Sequence, residues 1–199
     1  MKKIFISQRV DIHPDYGERR DAIDQMWAKL IFELGFCCVP IPNHPEIAKE
    51  MLKDIPPYGI LLSGGNTPQQ YGGNAPERDA TDNVLIGYAV SNNTPLLGVC
   101  RGMQSIVLYF GGSLKKTENH IAVRHTLNNG FDVNSFHAYS PHELTNDVIP
   151  VACSQDGEIE YIKHKNLPIT GIMWHPERET PFKENDILLM KSIFLGDNK

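Results

Sequence analysis

The 199-residue chain has no excess of basic residues: 19 lysines and arginines face 24 aspartates and glutamates, for a formal net charge of -5. Nucleic acid recruits a basic patch or stripe to its phosphates, so it is excluded as the main partner, although a small anion can still meet a local arginine pocket. Long apolar runs are also missing. After Met1-Lys2-Lys3 only Ile4-Phe5-Ile6 precede polar residues, too short for the apolar region of a signal peptide. No run approaches the about 20 residues of a membrane span. Cysteine is scarce. Cys37 and Cys38 are adjacent, Cys100 and Cys153 stand alone, and no C-x-x-C occurs. That pattern suits no disulfide framework and implies a reducing, cytoplasmic setting. His120 and His125 fall in a polar stretch read as a loop, and His13, His44, His142 and His164 are scattered, without zinc-site spacing. Phosphate-binding G-x-x-x-x-G-K and G-x-G-x-x-G loops are absent. Neither a metal nor an organic cofactor is expected. With no repeat, low-complexity tract or Pro/Ser-rich linker, residues 1–199 read as one domain, which an apolar fraction of 41% can fill.

The first half alternates strand and helix signals. Lys2 to Ser7 is a short apolar run suited to a buried strand. Ile23, Met26, Trp27, Leu30, Ile31 and Leu34 then share one face of a 3.6-residue period, stopped by Gly35. Phe36 to Ile41, Tyr58 to Leu62 and Pro95 to Val99 read as further strands. Glu46 to Leu52, Arg78 to Val90 and Arg101 to Phe110 read as helices. Helices spaced between short apolar strands predict an α/β fold with a mostly parallel sheet covered on both faces. From Phe131 to Trp174 short runs broken by Asn129-Gly130 and Asp156-Gly157 predict added, partly antiparallel strands. A helix over Asn185 to Leu195 closes the chain.

Gly98-Val99-Cys100-Arg101-Gly102 lies between a strand and a helix, which puts Cys100 on a tight strand-to-helix turn. Side chains at 98 and 102 would collide with backbone as the chain reverses. A thiol at a helix N-terminus feels the dipole, which favours the thiolate nucleophile. Such a nucleophile needs a base, and the base an orienting group. Trp174-His175-Pro176-Glu177 supplies both, with the two-residue offset expected to project His175 and Glu177 to one side of an extended segment. Backbone N–H groups of Ser63-Gly64-Gly65, with that of Arg101, could form an oxyanion hole.

These three pieces, as Leu61-Leu62-Ser63-Gly64-Gly65, Pro95 to Gln104 and Trp174 to Glu177, resemble the class I glutamine amidotransferases. The likeness is to the free-standing γ-glutamyl hydrolase branch that includes γ-glutamyl-γ-aminobutyrate hydrolase. Arg78-Asp79-Ala80 and Val133-Asn134-Ser135-Phe136-His137 resemble that branch too. The resemblance implies a flavodoxin-like fold and a Cys100–His175–Glu177 triad that cuts a γ-glutamyl amide. Gly65 and Arg101 would be oxyanion donors. Gly64, Gln104 and the stretch Asn134, Ser135, Phe136, His137 would hold the glutamyl group. The branch often carries a second histidine where this chain has Ala138, and the region between Gly112 and Phe131 is short. The short chain also resembles the nucleotide γ-glutamyl-amidate hydrolases of capsule phosphoramidate synthesis. Their leaving group would call for cations such as Arg9, at the end of the first strand, with Arg19 or Arg20 as further candidates. Two other readings stand beside this one: a glutaminase subunit feeding ammonia to a synthase partner, which the missing synthase domain disfavours, and a non-enzymatic binding protein on the same fold. The partner expected is a small γ-glutamyl substrate, with room left for a homo-oligomer.

Overall fold

Three of the five parallel strands end side by side, and that register decides where every candidate residue lands. The structure, a computed structural model, describes residues 1–196. In chain order the elements are β1 (Lys3–Ser7), β2 (Arg9–Ile12), β3 (Arg19–Ala22), α1 (Gln25–Glu33), β4 (Cys37–Ile41), α2 (Pro45–Asp54), β5 (Gly59–Leu62), α3 (Pro76–Asn92), β6 (Leu96–Val99) and α4 (Arg101–Tyr109). The second half holds β7 (Leu114–Lys116), β8 (Ile121–Thr126), β9 (Asp132–Phe136), β10 (Tyr139–Pro141), β11 (Val148–Cys153), β12 (Ile159–His164), β13 (Ile169–Ile172) and α5 (Glu184–Leu195), with single 3₁₀ turns at Gln69–Tyr71 and Pro176–Arg178.

The main sheet runs β11-β12-β13-β6-β5-β1-β4. Neighbours from β13 to β4 are parallel, and β11 and β12 add antiparallel at one edge. This is the expected α/β architecture of a mostly parallel sheet flanked by helices. β5 and β6 are buried at every position, as strands covered on both faces must be. Pro40 sits in β4 because β4 is an edge strand and lacks a second neighbour needing its missing N–H.

The helices begin where local chemistry starts them. Asp24 caps α1 by accepting from the Met26 N–H at 2.9 Å, and Gly35, at φ 91°, ends it. Prolines at the first turns of α2 and α3 extend both helices slightly beyond their periodic cores.

Two parts depart from the sequence reading. Residues 9–22 form a separate β2–β3 hairpin, so Arg9 opens a new strand rather than ending β1. Most of its residues are exposed, which leaves no apolar alternation to read. The stretch taken as a polar loop around His125 is strand β8, paired with β9; a register shift beside Ala122, at φ 57°, hides the alternation. No described helix is long and apolar enough to cross a membrane.

Candidate active site

Because Leu62 pairs with Gly98 and Val99 with Ile172, the loops after β5, β6 and β13 leave the sheet at one edge. Ligands of open α/β sheets bind beyond that carboxyl edge. Cys100 follows β6 directly, at φ 50° and ψ -104°, as the N-cap of α4. Its N–H donates to Ile172 O at 2.7 Å, tying the bend to β13. The flanking glycines have the steric cause expected of them. A Cβ on Gly98 would lie 2.5 Å from the Gly102 carbonyl carbon, and one on Gly102 would lie 2.1 Å from Leu62 O.

His175 is buried, and its Nδ1–H donates to Glu177 Oε1 at 2.7 Å. The pairing does not come from strand alternation, as the offset suggested. β13 stops at Ile172, and Pro176 starts a 3₁₀ turn that swings Glu177 back under the ring. Proline's fixed φ is already near the helical value, which favours that turn. The His175 Nε2 is buried without a hydrogen-bond partner among the described residues. Cys100 and His175 line the same cavity of about 220 Å³, with Gln104, Phe136, Tyr139 and Arg178 among its other walls. A larger cavity of about 480 Å³, lined by Gln69, Asp79, Asn83 and Tyr109, includes neither Cys100 nor His175.

Burial pulls the His175 imidazole toward neutrality, but the facing Cys100 and the bonded Glu177 outweigh it and raise its pKa from 6.5 to about 9. A proton held to about pH 9 in the fold but to about 6.5 in the unfolded chain stabilises the fold. That contribution is complete below about pH 6.5 and is lost as pH rises through 9. Replacing Cys100 with serine removes the main partner. The loss of stability between these pH values is then expected to shrink, as read by urea unfolding across the range.

The loop after β5 is held from below by Arg78, which is fully buried. Its guanidinium donates to the carbonyls of Ser63, Gly64 and Gly65 and to Asn66 Oδ1 at 3.2 Å. Burial lowers the Arg78 pKa to about 10, against the opposing charge of Asp82. The same Asp82 meets Arg101 Nη1 at 3.2 Å, and Arg101 also pairs with Asp79. One buried network on α3 thus fixes both the Gly64-Gly65 loop and the first residue of α4. The Ser63 N–H donates to Ser7 Oγ at 3.1 Å, so of the three loop N–H groups expected to form an oxyanion hole, those of Gly64 and Gly65 are left as candidates. The Arg101 N–H, at the start of α4, has no helical acceptor.

The remaining predicted residues divide. Gly64 lies against His175: a Cβ there would be 2.6 Å from the imidazole Cε1. Gln104 lines the cavity and donates to Tyr139 O at 2.9 Å. Phe136 and His137 line it as well, and Phe136 meets the His175 ring edge-on, 5.8 Å between centroids. Asn134 and Ser135, expected beside the glutamyl group, are turned into the protein. Asn134 accepts from the His175 N–H and donates to its carbonyl, both at 2.9 Å, so it clamps the His175 backbone. Ser135 Oγ donates to His120 O at 2.8 Å.

Of the three candidate cations, Arg19 pairs with Glu77 and Arg20 with Glu18, both away from the cleft. Arg9 is half-exposed beside Asp11, its methylenes packed against Gly65, in a small cleft it shares with His175. Sequence reasoning missed Arg178, whose guanidinium stacks 4.4 Å above the Phe136 ring and lines both clefts. Its position directly after Glu177 was the available signal.

A cysteine at positive φ on the carboxyl edge of the sheet thus lines one cavity with a buried, carboxylate-bound imidazole. The chain belongs to the class I glutamine amidotransferase family, whose model matches residues 18–192. Among curated proteins it is 34% identical over 196 residues to the γ-glutamyl-CDP-amidate hydrolase of Campylobacter jejuni, covering 96% of each. It is 29% identical to the glutamine-hydrolysing GMP synthase of Wolinella succinogenes, covering 92% of this chain and 35% of that one. A glutamine amidotransferase structure from Thermotoga maritima superposes with TM-score 0.66 at 17% identity, over 96% of this chain and 83% of that one, which speaks to the fold alone.

Proposed function

We propose that the protein is a γ-glutamyl amide hydrolase working through a γ-glutamyl thioester on Cys100. The observation that carries this reading is a partnerless, buried His175 Nε2 sharing one cavity with the strained Cys100. The thiolate attacks the γ-carbonyl carbon while N–H groups of Gly65 and Arg101 receive the oxyanion. His175, protonated at neutral pH, gives its proton to the departing nitrogen as the C–N bond breaks. The neutral imidazole then takes a proton from water, whose oxygen attacks the thioester. Collapse breaks the C–S bond and releases glutamate and the thiolate. Glu177 keeps His175 oriented throughout.

The substrate we favour is γ-glutamyl-CDP-amidate or a close nucleotide amidate, cleaved to glutamate and the amidate in the cytoplasm for capsule phosphoramidate synthesis. The similarity to the Campylobacter jejuni hydrolase over nearly the whole chain supports it, as do Arg9 and Arg178 beside the cleft, which suit a phosphoryl leaving group. Arg178→Ala is then expected to lower kcat/KM about tenfold or more for a nucleotide amidate while changing glutamine hydrolysis little. A panel of γ-glutamyl amides reads this. The GMP synthase similarity favours a second reading, glutaminase supply of ammonia to a synthase partner. If glutamine is the only substrate cleaved, and only with a synthase added, that second reading replaces the first.

A further inference from the structure

Beneath the wall of the cavity, folding gathers side chains that linear spacing keeps apart. His120, His137 and Glu160 are all buried, and each turns one ligand atom toward a common point. His120 Nδ1 and His137 Nε2 are 3.2 Å apart, and Glu160 Oε1 lies 3.2 Å from the first and 3.0 Å from the second. Four ligands about 2.0–2.1 Å from a tetrahedral ion stand about 3.3 Å from one another, close to the edges of this triangle.

Protons alone satisfy the triangle poorly. With both nitrogens protonated, both N–H groups fall on Oε1, which can accept them, but Oε2 is left bare; with either nitrogen unprotonated, its lone pair faces that of the carboxylate. Glu160 Oε2 is buried without a partner among the described residues. So is His125 Nε2, which lies 3.3 Å from Glu160 Oε1. The outer contacts are those of metal-bound histidines, whose second nitrogen is held by a carboxylate or another polar group. His120 Nε2 meets Asp156 Oδ2 at 2.9 Å, and His137 Nδ1 meets Ser140 Oγ at 3.4 Å.

We propose that His120, His137 and Glu160 bind a divalent transition-metal ion, zinc by their nitrogen and oxygen donors, with His125 the nearest candidate for a fourth ligand. The ion clips the β8–β9 hairpin and the residue after β9 to β12. Its role is structural: β9 carries Asn134, which clamps His175, and His137 itself reaches the cavity wall. The ion takes part in no step of the thioester chemistry. The proposal departs from the expectation of no metal, which was drawn from spacing along the chain.

The test uses the full chain carrying Cys100→Ser, so that the active-site thiol holds no ion. After treatment with a chelator it is titrated with Zn²⁺ alone, and its thermal midpoint is followed. Saturable binding of one ion per chain, with a rise in the midpoint, is expected. Asp156→Asn, a change at an exposed residue that leaves the three ligands in place, should weaken binding about tenfold to a hundredfold. His120→Asn should abolish it. Absence of saturable zinc binding, or affinity unchanged in both variants, would overturn the site.

Discussion

Replacing Cys100 with alanine is expected to lower turnover of a γ-glutamyl amide by about 10⁴-fold or more while leaving the protein folded. The expectation rests on what the sulfur alone can do. In the proposed route every bond change at the γ-carbonyl passes through the thioester, and no other described cysteine lines the cavity. Loss of a covalent nucleophile in an acting unit removes nearly all of its rate advantage, leaving about 10³- to 10⁴-fold over water from the oxyanion hole and binding. Packing loses little, although the stabilisation from the His175 proton shrinks. The Cys100 side chain is small, the residue is 7% exposed, and the bend is held by the Cys100 N–H to Ile172 O and by the glycines on either side. Activity assays and circular dichroism on the same preparation separate the two effects. A folded variant with turnover within tenfold of the parent would remove Cys100 from the mechanism.

The second large effect is expected at a residue with no reactive atom. Gly64→Ala should lower kcat by about 10²- to 10³-fold with a small change in stability. The added methyl would stand 2.6 Å from His175 Cε1, below any contact a real Cβ makes. The ring must give way, because the loop cannot. Arg78 grips the carbonyls of residues 63, 64 and 65 from a fully buried position. On the other side the His175 backbone is clamped by Asn134 and its Nδ1 by Glu177, so the ring tilts rather than translates. A displacement of about 1 Å in a catalytic group costs about 10²-fold, and a shifted oxyanion N–H adds to it. The affinity for a non-hydrolysed γ-glutamyl ligand should change far less than kcat. A Gly64→Ala variant with full kcat would mean that the imidazole has another place to work from.

The parallel half of the fold was legible because burial on both faces writes continuous apolar runs. β1, β5 and β6 fall within a residue or two of their expected bounds. The elbow was legible for a similar reason: glycines at 98 and 102 are a steric demand that composition alone displays. The β2–β3 hairpin was not, since its exposed, charged residues carry no burial pattern. The orientation of β9 side chains was also beyond reach. Which face of a short strand meets the substrate depends on its partner, and the partner β8 is irregular beside Ala122. The resemblance put Asn134 and Ser135 beside the glutamyl group, whereas their side chains bond the His175 backbone and His120 O. Glu177 was identified correctly as the neighbour of His175 by an argument that the 3₁₀ turn replaces. The His120–His137–Glu160 cluster escaped entirely, because its members come from the lead-in to β8, the residue after β9 and strand β12.

The proposed catalysis needs sulfur and imidazole to cooperate at one sheet edge, and the covalent intermediate tests that most directly. Rapid acid quench of the enzyme with a γ-glutamyl amide, followed by peptide mass analysis, should find one glutamyl unit attached to the peptide that contains Cys100. With His175→Ala the adduct should form far more slowly. Turnover without any adduct, or an adduct confined to the peptides of Cys37, Cys38 or Cys153, would contradict it.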